Sequence, residues 1–206
     1  VMALLRQLHP DWTVEELKAL AMNYANHDMT VFPGATPPRY SPSRIGAGRV
    51  DVPLAAAGSV IAMNAEDAGL VSVTFNPEVV GVTTQVKRVR LVNKGTAAQT
   101  YNLAFDLTNA APGVTFSTPG GGSVSVPAGG AFEFDVQMAA NSALMDEQRD
   151  PALAPKQGVQ ANYGDQPRHF LTEAEGYLTF NQGGSLKLRL PVYMAEKPAS
   201  QMGAPA

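Results

Sequence analysis

Tyr101-Asn-Leu-Ala-Phe-Asp-Leu107 is the stretch whose pattern decides the fold. Tyr101, Leu103, Phe105 and Leu107 alternate with small or polar residues, the period of a strand with one face in a core. The same period extends in both directions. Upstream lie Val71, Val73 and Phe75, then Val86, Val89, Leu91 and Val92, whose one slip predicts a bulge. Downstream lie Val124 and Val126, then Phe132, Phe134, Val136 and Met138. The last runs are Tyr177, Leu178 and Phe180, then Leu186, Leu188, Leu190 and Val192. Turn chemistry separates them: Asn93-Lys-Gly95, Ala111-Pro-Gly113, Pro119-Gly-Gly-Gly122, Pro127-Ala-Gly-Gly130 and Asn181-Gln-Gly-Gly184. About seven or eight short strands so joined predict an antiparallel β-sandwich. We assign it residues 68–195, with 196–206 as a flexible tail.

Composition agrees with a packed core. The 206 residues are 45% hydrophobic and 16% charged. The net charge of -3, without a Lys/Arg cluster interleaved with aromatics, argues against a nucleic-acid surface. There is no cysteine, so thiolate catalysis, disulfides and Cys-based zinc sites are excluded. No apolar run reaches the length of a membrane-spanning helix.

The first 60 residues follow another rule. Residues 1–8 are apolar at Val1, Met2, Leu4, Leu5 and Leu8, the pattern of a helix buried on most sides. Pro10 ends it. Thr13 and Glu16 have capping-box spacing, and Trp12 and Leu17 that of a hydrophobic staple. Leu17, Leu20 and Ala21 continue as a helical stripe to about Tyr24. Residues 25–44 read as irregular, broken by Pro33, Pro37, Pro38 and Pro42. Gly46 and Gly48 predict a tight turn, and residues 50–57 a short helix. The polar, Pro-containing connection 141–173 is long enough to be either functional or disordered.

Ala3-Leu-Leu, Pro10-x-Trp12-Thr13, Leu17 and Leu20 together resemble the stretch after the nucleophile helix of subtilisin-like serine proteases. Gly46-Ala-Gly48-Arg-Val50-Asp51 with Ala55-Ala56 is similar to the last element of that family's catalytic domain. Large secreted members carry a fibronectin-III-like sandwich directly afterwards. Glu175-Gly-Tyr-Leu-Thr-Phe180 and Leu188-Arg-Leu-Pro-Val-Tyr193 resemble the last two strands of such domains. The resemblance implies a mainly β, fibronectin-III/immunoglobulin-like sandwich, preceded over residues 1–60 by a helical remnant of an α/β catalytic domain. It implies a C-terminal fragment of a secreted, extracellular or cell-surface serine endopeptidase. The Asp-His-Ser triad of such an enzyme would precede Val1, so no catalytic, cofactor-binding or metal residue carries over and this piece should be inactive. Calcium is possible in the parent, but no cofactor is implied here. The implied partners are the rest of the catalytic domain and, through the parent, protein or peptide substrates. Nucleic acid and a membrane span are not expected. Two other readings compete: an immunoglobulin/fibronectin-type module for cell-surface or carbohydrate contact, and a weaker one as a chaperone-like sandwich offering a strand edge to peptides.

Single residues add little chemistry. His9, His27 and His169 read as structural, although His27-Asp28 could form a metal or base pair. Asp146, Glu147 and Asp150 with Glu173 and Glu175 offer carboxylates but fit no calcium-loop spacing. Ser41, Ser43 and Ser59 lie in no nucleophile turn and have no base nearby in sequence. Gly120-Gly-Gly122 sits between strands and precedes no Lys-Ser/Thr, so it is not a phosphate loop. Arg39, Arg44 and Arg49 are expected to pair with carboxylates or cap helices. Leu4, Leu5 and Leu8 are each worth about 1.5–3 kcal/mol when buried. Residues 1–24 are therefore expected to dock on the sandwich, pair with another copy, or order poorly.

Overall fold

The computed structural model describes residues 1–27, 29–34, 36–77, 79, 81–158 and 164–195. The tail 196–206 and Asp28 lie outside the described residues. The chain opens with helices α1 (Met2–Leu8), α2 (Val14–Asn23), α3 (Pro42–Ile45) and α4 (Val52–Ala57). Strands follow: β1 (Val60–Asn64), β2 (Val73–Phe75), β3 (Val82–Asn93), β4 (Gln99–Asn109), β5 (Val114–Ser117) and β6 (Ser123–Val126). After β7 (Ala131–Asn141) and a 3-10 turn at Ser142–Leu144 come β8 (Lys156–Gly158), β9 (Asp165–Pro167), β10 (Glu173–Gln182) and β11 (Ser185–Ala195).

The strands form a four-stranded sheet, β1-β3-β7-β5, and a five-stranded sheet, β2-β11-β10-β4-β6. Pairing is antiparallel except where β2 runs parallel to β11. Inward rings join the sheets: Phe116 of β5 lies 5.9 Å from both Phe75 and Phe105, and Phe134 of β7 lies 6.1 Å from Phe180. Val89, Leu91, Val136 and Met138 meet Leu178, Leu188 and Leu190 in one buried cluster. The protein is thus mainly β, with an antiparallel β-sandwich as its bulk.

Several details differ from the expectations. The sandwich begins ahead of residue 68, since β1 starts at Val60. Every residue of β1 is buried, so Val60-Ile-Ala-Met63 is a continuous apolar run without alternation. β5 is a further strand, tucked between two proline-glycine turns. No bulge interrupts β3, whose register with β1 and β7 is continuous. Val86 and Val92 face the opposite side from Val89 and Leu91, and Val86 is exposed. The true register shifts lie in β10, at Glu175/Gly176 against β4 and at Phe180/Asn181 against β11. The second turns Leu186 outward, where it is 47% exposed. At the first, the β4 backbone comes so close that a Cβ on Gly176 would fall on the Asp106 carbonyl.

The helical segment shares the sandwich's core rather than standing apart. Leu5, Leu17, Leu20 and Ala55 are fully or almost fully buried in the same cluster as the strands. Thr13 and Glu16 form the expected capping box: Thr13 N–H donates to Glu16 Oε2 at 2.9 Å, and Glu16 N–H donates to Thr13 Oγ1 at 3.2 Å. Trp12 stacks on His9 at 4.4 Å and lies under the Lys94 ammonium. Lys94 in turn pairs with Glu16 at 2.6 Å, tying the helix break to the end of β3. α2 then lies along β1, the edge of one sheet, and along the part of β11 in the other sheet that β2, paired only at residues 192–194, leaves uncovered. Asn23 accepts from Ala62 N–H at 2.7 Å and donates to the Arg189 carbonyl at 3.0 Å. Tyr24 donates to the Val60 carbonyl. An open sandwich exposes unpaired backbone at such edges, and α2 satisfies part of it. Residues 1–24 therefore dock on the sandwich, the first of the three expected outcomes, although Leu4 and Leu8 remain outside.

Candidate functional site

The outer face of β10 would ordinarily meet water, since Glu175, Tyr177 and Thr179 alternate with the inward Leu178 and Phe180. The described residues between 25 and 49 cross this face as a strap, held at successive points. Arg39 makes a two-pronged contact with Asp106 of β4, both hydrogen bonds 2.7 Å. This pair pulls the Asp106 carboxyl below its usual range and raises Arg39. Tyr177 donates to the Gly46 carbonyl at 2.8 Å, and burial pushes its phenol up. His27 lies on Tyr177 with ring centroids 4.4 Å apart, and its Nε2 meets the Tyr40 carbonyl at 2.7 Å. Burial holds the imidazole below its ordinary value, which favours the neutral ring. Arg189 covers the same phenol and donates to the Ala25 carbonyl.

The most unusual group under the strap is Glu175. It is fully buried. Its Oε2 accepts from Ser43 N–H at 2.7 Å and its Oε1 from Ser43 Oγ at 2.9 Å. Burial pushes its pKa up to about 7; the two Ser43 bonds pull it back, and the nearby Glu173 and Asp150 push it further. Glu173 accepts from Tyr193 at 2.8 Å, and that phenol is raised by burial and by the neighbouring carboxylates. Beside these groups lies an open groove of about 500 Å³, lined in part by Ser43, Arg44, Thr74, Glu173 and Tyr193. A shallower continuation passes Arg44 and Glu173 to His169 and Phe170.

The structure brings Ser43 against a carboxylate that sequence gave no reason to link, 132 residues away. A serine on a near-neutral carboxylate has the outline of a nucleophile and base. Here, however, the same carboxylate also takes Ser43's own N–H, in the first turn of α3, so it serves as a helix cap. Ser41 caps nothing with its side chain, and the Ser59 carbonyl accepts from Lys94 N–H at 2.8 Å, just past the end of β3. Asp150, Glu173 and Glu175 are buried, whereas Asp146 and Glu147 are exposed. Among the described residues no group of three or more His, Asp or Glu is arranged to hold a metal ion. Among them, too, no helix is long and apolar enough to cross a membrane. His9 stacks on Trp12, and His169 is exposed at the groove's far end. Arg39 finds its carboxylate as expected, and the backbone of Arg49 bridges to Asn26.

No family model matches the chain, and no curated protein matches it. Among solved structures it is similar to the PapD-like domain 7 of human CEP192, at 13% identity over 85% of this chain and 98% of that one, with a TM-score of 0.38. A FixG-related protein from Vibrio parahaemolyticus matches at 12% identity over 58% and 99% of the respective chains, TM-score 0.32. A family 123 glycoside hydrolase from Clostridium perfringens matches at 8% identity over 70% and 28%, TM-score 0.36. None of these three is a subtilisin-like protease. At such scores the likenesses carry no argument about function.

Proposed function

We propose that the chain is the trailing part of a secreted, subtilisin-like serine endopeptidase, with a non-catalytic accessory sandwich fixed to the last helices of the catalytic domain. The outer side of α1 carries this reading. Leu5 alone enters the sandwich core, while Met2, Leu4 and Leu8 stay 42%, 53% and 57% exposed. An apolar helix buried along one line and bare elsewhere fits a helix with a second body packed around it. Leu54 of α4, which touches α1, adds 52% exposed apolar surface nearby. In this role the sandwich stabilises the catalytic domain and extends its contact with substrate or surface, outside the cell.

The carbohydrate-module reading has less support. Glycan binding by stacking calls for a platform of neighbouring exposed rings; Tyr101, Phe105, Phe116, Phe134 and Phe180 point into the sandwich or are largely covered, and the exposed Phe32 and Phe132 lie on different elements, the strap and β7. The test is covalent labelling with a fluorophosphonate. The chain alone should take up no label and hydrolyse no peptide. The product of the same reading frame extended upstream should be labelled at a serine preceding Val1. Labelling of Ser43 in the chain alone, or an upstream frame without a reactive serine, would overturn the proposal.

A further inference from the structure

The side of the sandwich opposite α2 carries a lane for one more strand. β5 pairs with β7 only at residues 137–140 and ends at Ser117. The chain then leaves through a Gly-rich turn, closed by Gly121 N–H to the Thr118 carbonyl and by Thr118 Oγ1 to the Gly121 carbonyl. Beyond the end of β5, residues 132–136 of β7 pair with β3 on one side. On the other side no backbone hydrogen bond reaches them among the described residues. A cleft of about 470 Å³ lies along this flank, bounded by Gly120, Gly121 and Val124. A Cβ at Gly120 or Gly121 would meet nothing within 4 Å, so the space in front of these two residues is open.

We propose that this lane binds an extended polypeptide segment, alternately apolar and basic, as a strand continuing β5 along β7. The alternation follows from β7 itself. Phe132 and Phe134 point to the sandwich interior and line the cleft, and Phe132 is 41% exposed there. Glu133 and Asp135 point to the outer face, with side chains 41% and 49% exposed. Arg88 meets them only at 3.8 and 3.6 Å, so both carboxylates retain room for a further cation. A segment added here would set apolar side chains beside Phe132 and Phe134 and basic ones beside Glu133 and Asp135. β5 already follows the same rule one step along the lane, with Phe116 inward and Thr115 and Ser117 outward. Main-chain pairing supplies affinity in such strand addition, and alternate side chains supply selectivity. The inference does not depend on the protease reading.

The test is a backbone-amide NMR titration of the full chain with three blocked hexapeptides: Lys-Val-Lys-Val-Lys-Val, its Glu-Val counterpart, and a Lys-Val version with a central proline. The basic peptide should shift the amides of residues 120–124 and 132–136. It should bind roughly tenfold more tightly than the acidic one, as two cross-strand charge pairs would give. The proline version should bind no better than the acidic one. In a Glu133→Lys, Asp135→Lys variant the charge preference should reverse. Equal binding of basic and acidic peptides to the unaltered chain, shifts confined to other residues, or no shift would overturn the proposal.

Discussion

Asn23→Ala is expected to lower the free energy of unfolding by roughly 2–5 kcal/mol, among the largest effects of any single polar substitution in the chain. Asn23 is 1% exposed and its amide is split between two sheets. Its Oδ1 takes the Ala62 N–H of β1, and its Nδ2 serves the Arg189 carbonyl of β11. Alanine leaves one buried donor and one largely covered acceptor without partners, at a cost of about 1–3 kcal/mol each. It also removes the contact by which α2 links β1 of one sheet to β11 of the other. Urea unfolding measures the loss as a shift of midpoint with unchanged slope. A shift worth less than about 1 kcal/mol would mean that α2 does not hold the sheet edges.

The second large effect is a dependence on pH. Burial pushes the Glu175 carboxyl up to about 7 in the fold, from an ordinary value of 4.5. Below the lower value both folded and unfolded chains hold the proton, and its full stabilising contribution is present. As pH rises from there, the unfolded chain releases the proton first, so stability falls until the folded chain releases it near pH 7. The whole change amounts to about 3 kcal/mol. Asp106 acts in the opposite sense, but at lower pH, because its carboxyl is held down by Arg39. His27 also opposes it, since its depressed pKa makes stability fall as pH drops below its ordinary value. Comparison with Glu175→Gln removes these common contributions. Glutamine keeps an acceptor for Ser43 N–H and carries no charge. The stability of wild type minus that of the variant should fall by about 3 kcal/mol between pH 4.5 and pH 8. A flat difference would show that the strap does not seal Glu175 from water.

The two effects separate what was legible in the sequence from what was not. β4 was legible because one face meets the core and the other does not, so Tyr101, Leu103, Phe105 and Leu107 stand out by period alone. The capping box at Thr13 and Glu16 was legible because its partners are three residues apart. β1 was hidden for the reason that makes Asn23 important: α2 covers what the sandwich leaves open, and a strand buried on both faces loses its alternation. Val86 and Val92 break the period of Val89 and Leu91 as a bulge would, yet they do so because β3 also carries apolar side chains on its outer face. Of the strap, the sequence suggests only that Arg39 meets some carboxylate; the face it crosses and its seal over Glu175 have no local signal. A glutamate in an alternating strand ordinarily marks a solvated face, and nothing near Glu175 in sequence points to Ser43. Long-range polar contacts of this kind have no local period to betray them.

The helical segment and the sandwich share one core and should unfold as one body, which is what would fix an accessory domain to its neighbour. The chain has a single tryptophan, and Trp12 sits in the helix break against Lys94. Equilibrium denaturation followed by Trp12 fluorescence and by far-ultraviolet circular dichroism reports the two parts separately. Coincident transitions with one midpoint are expected. A Trp12 transition completed at lower denaturant, while the sheet signal is unchanged, would contradict it.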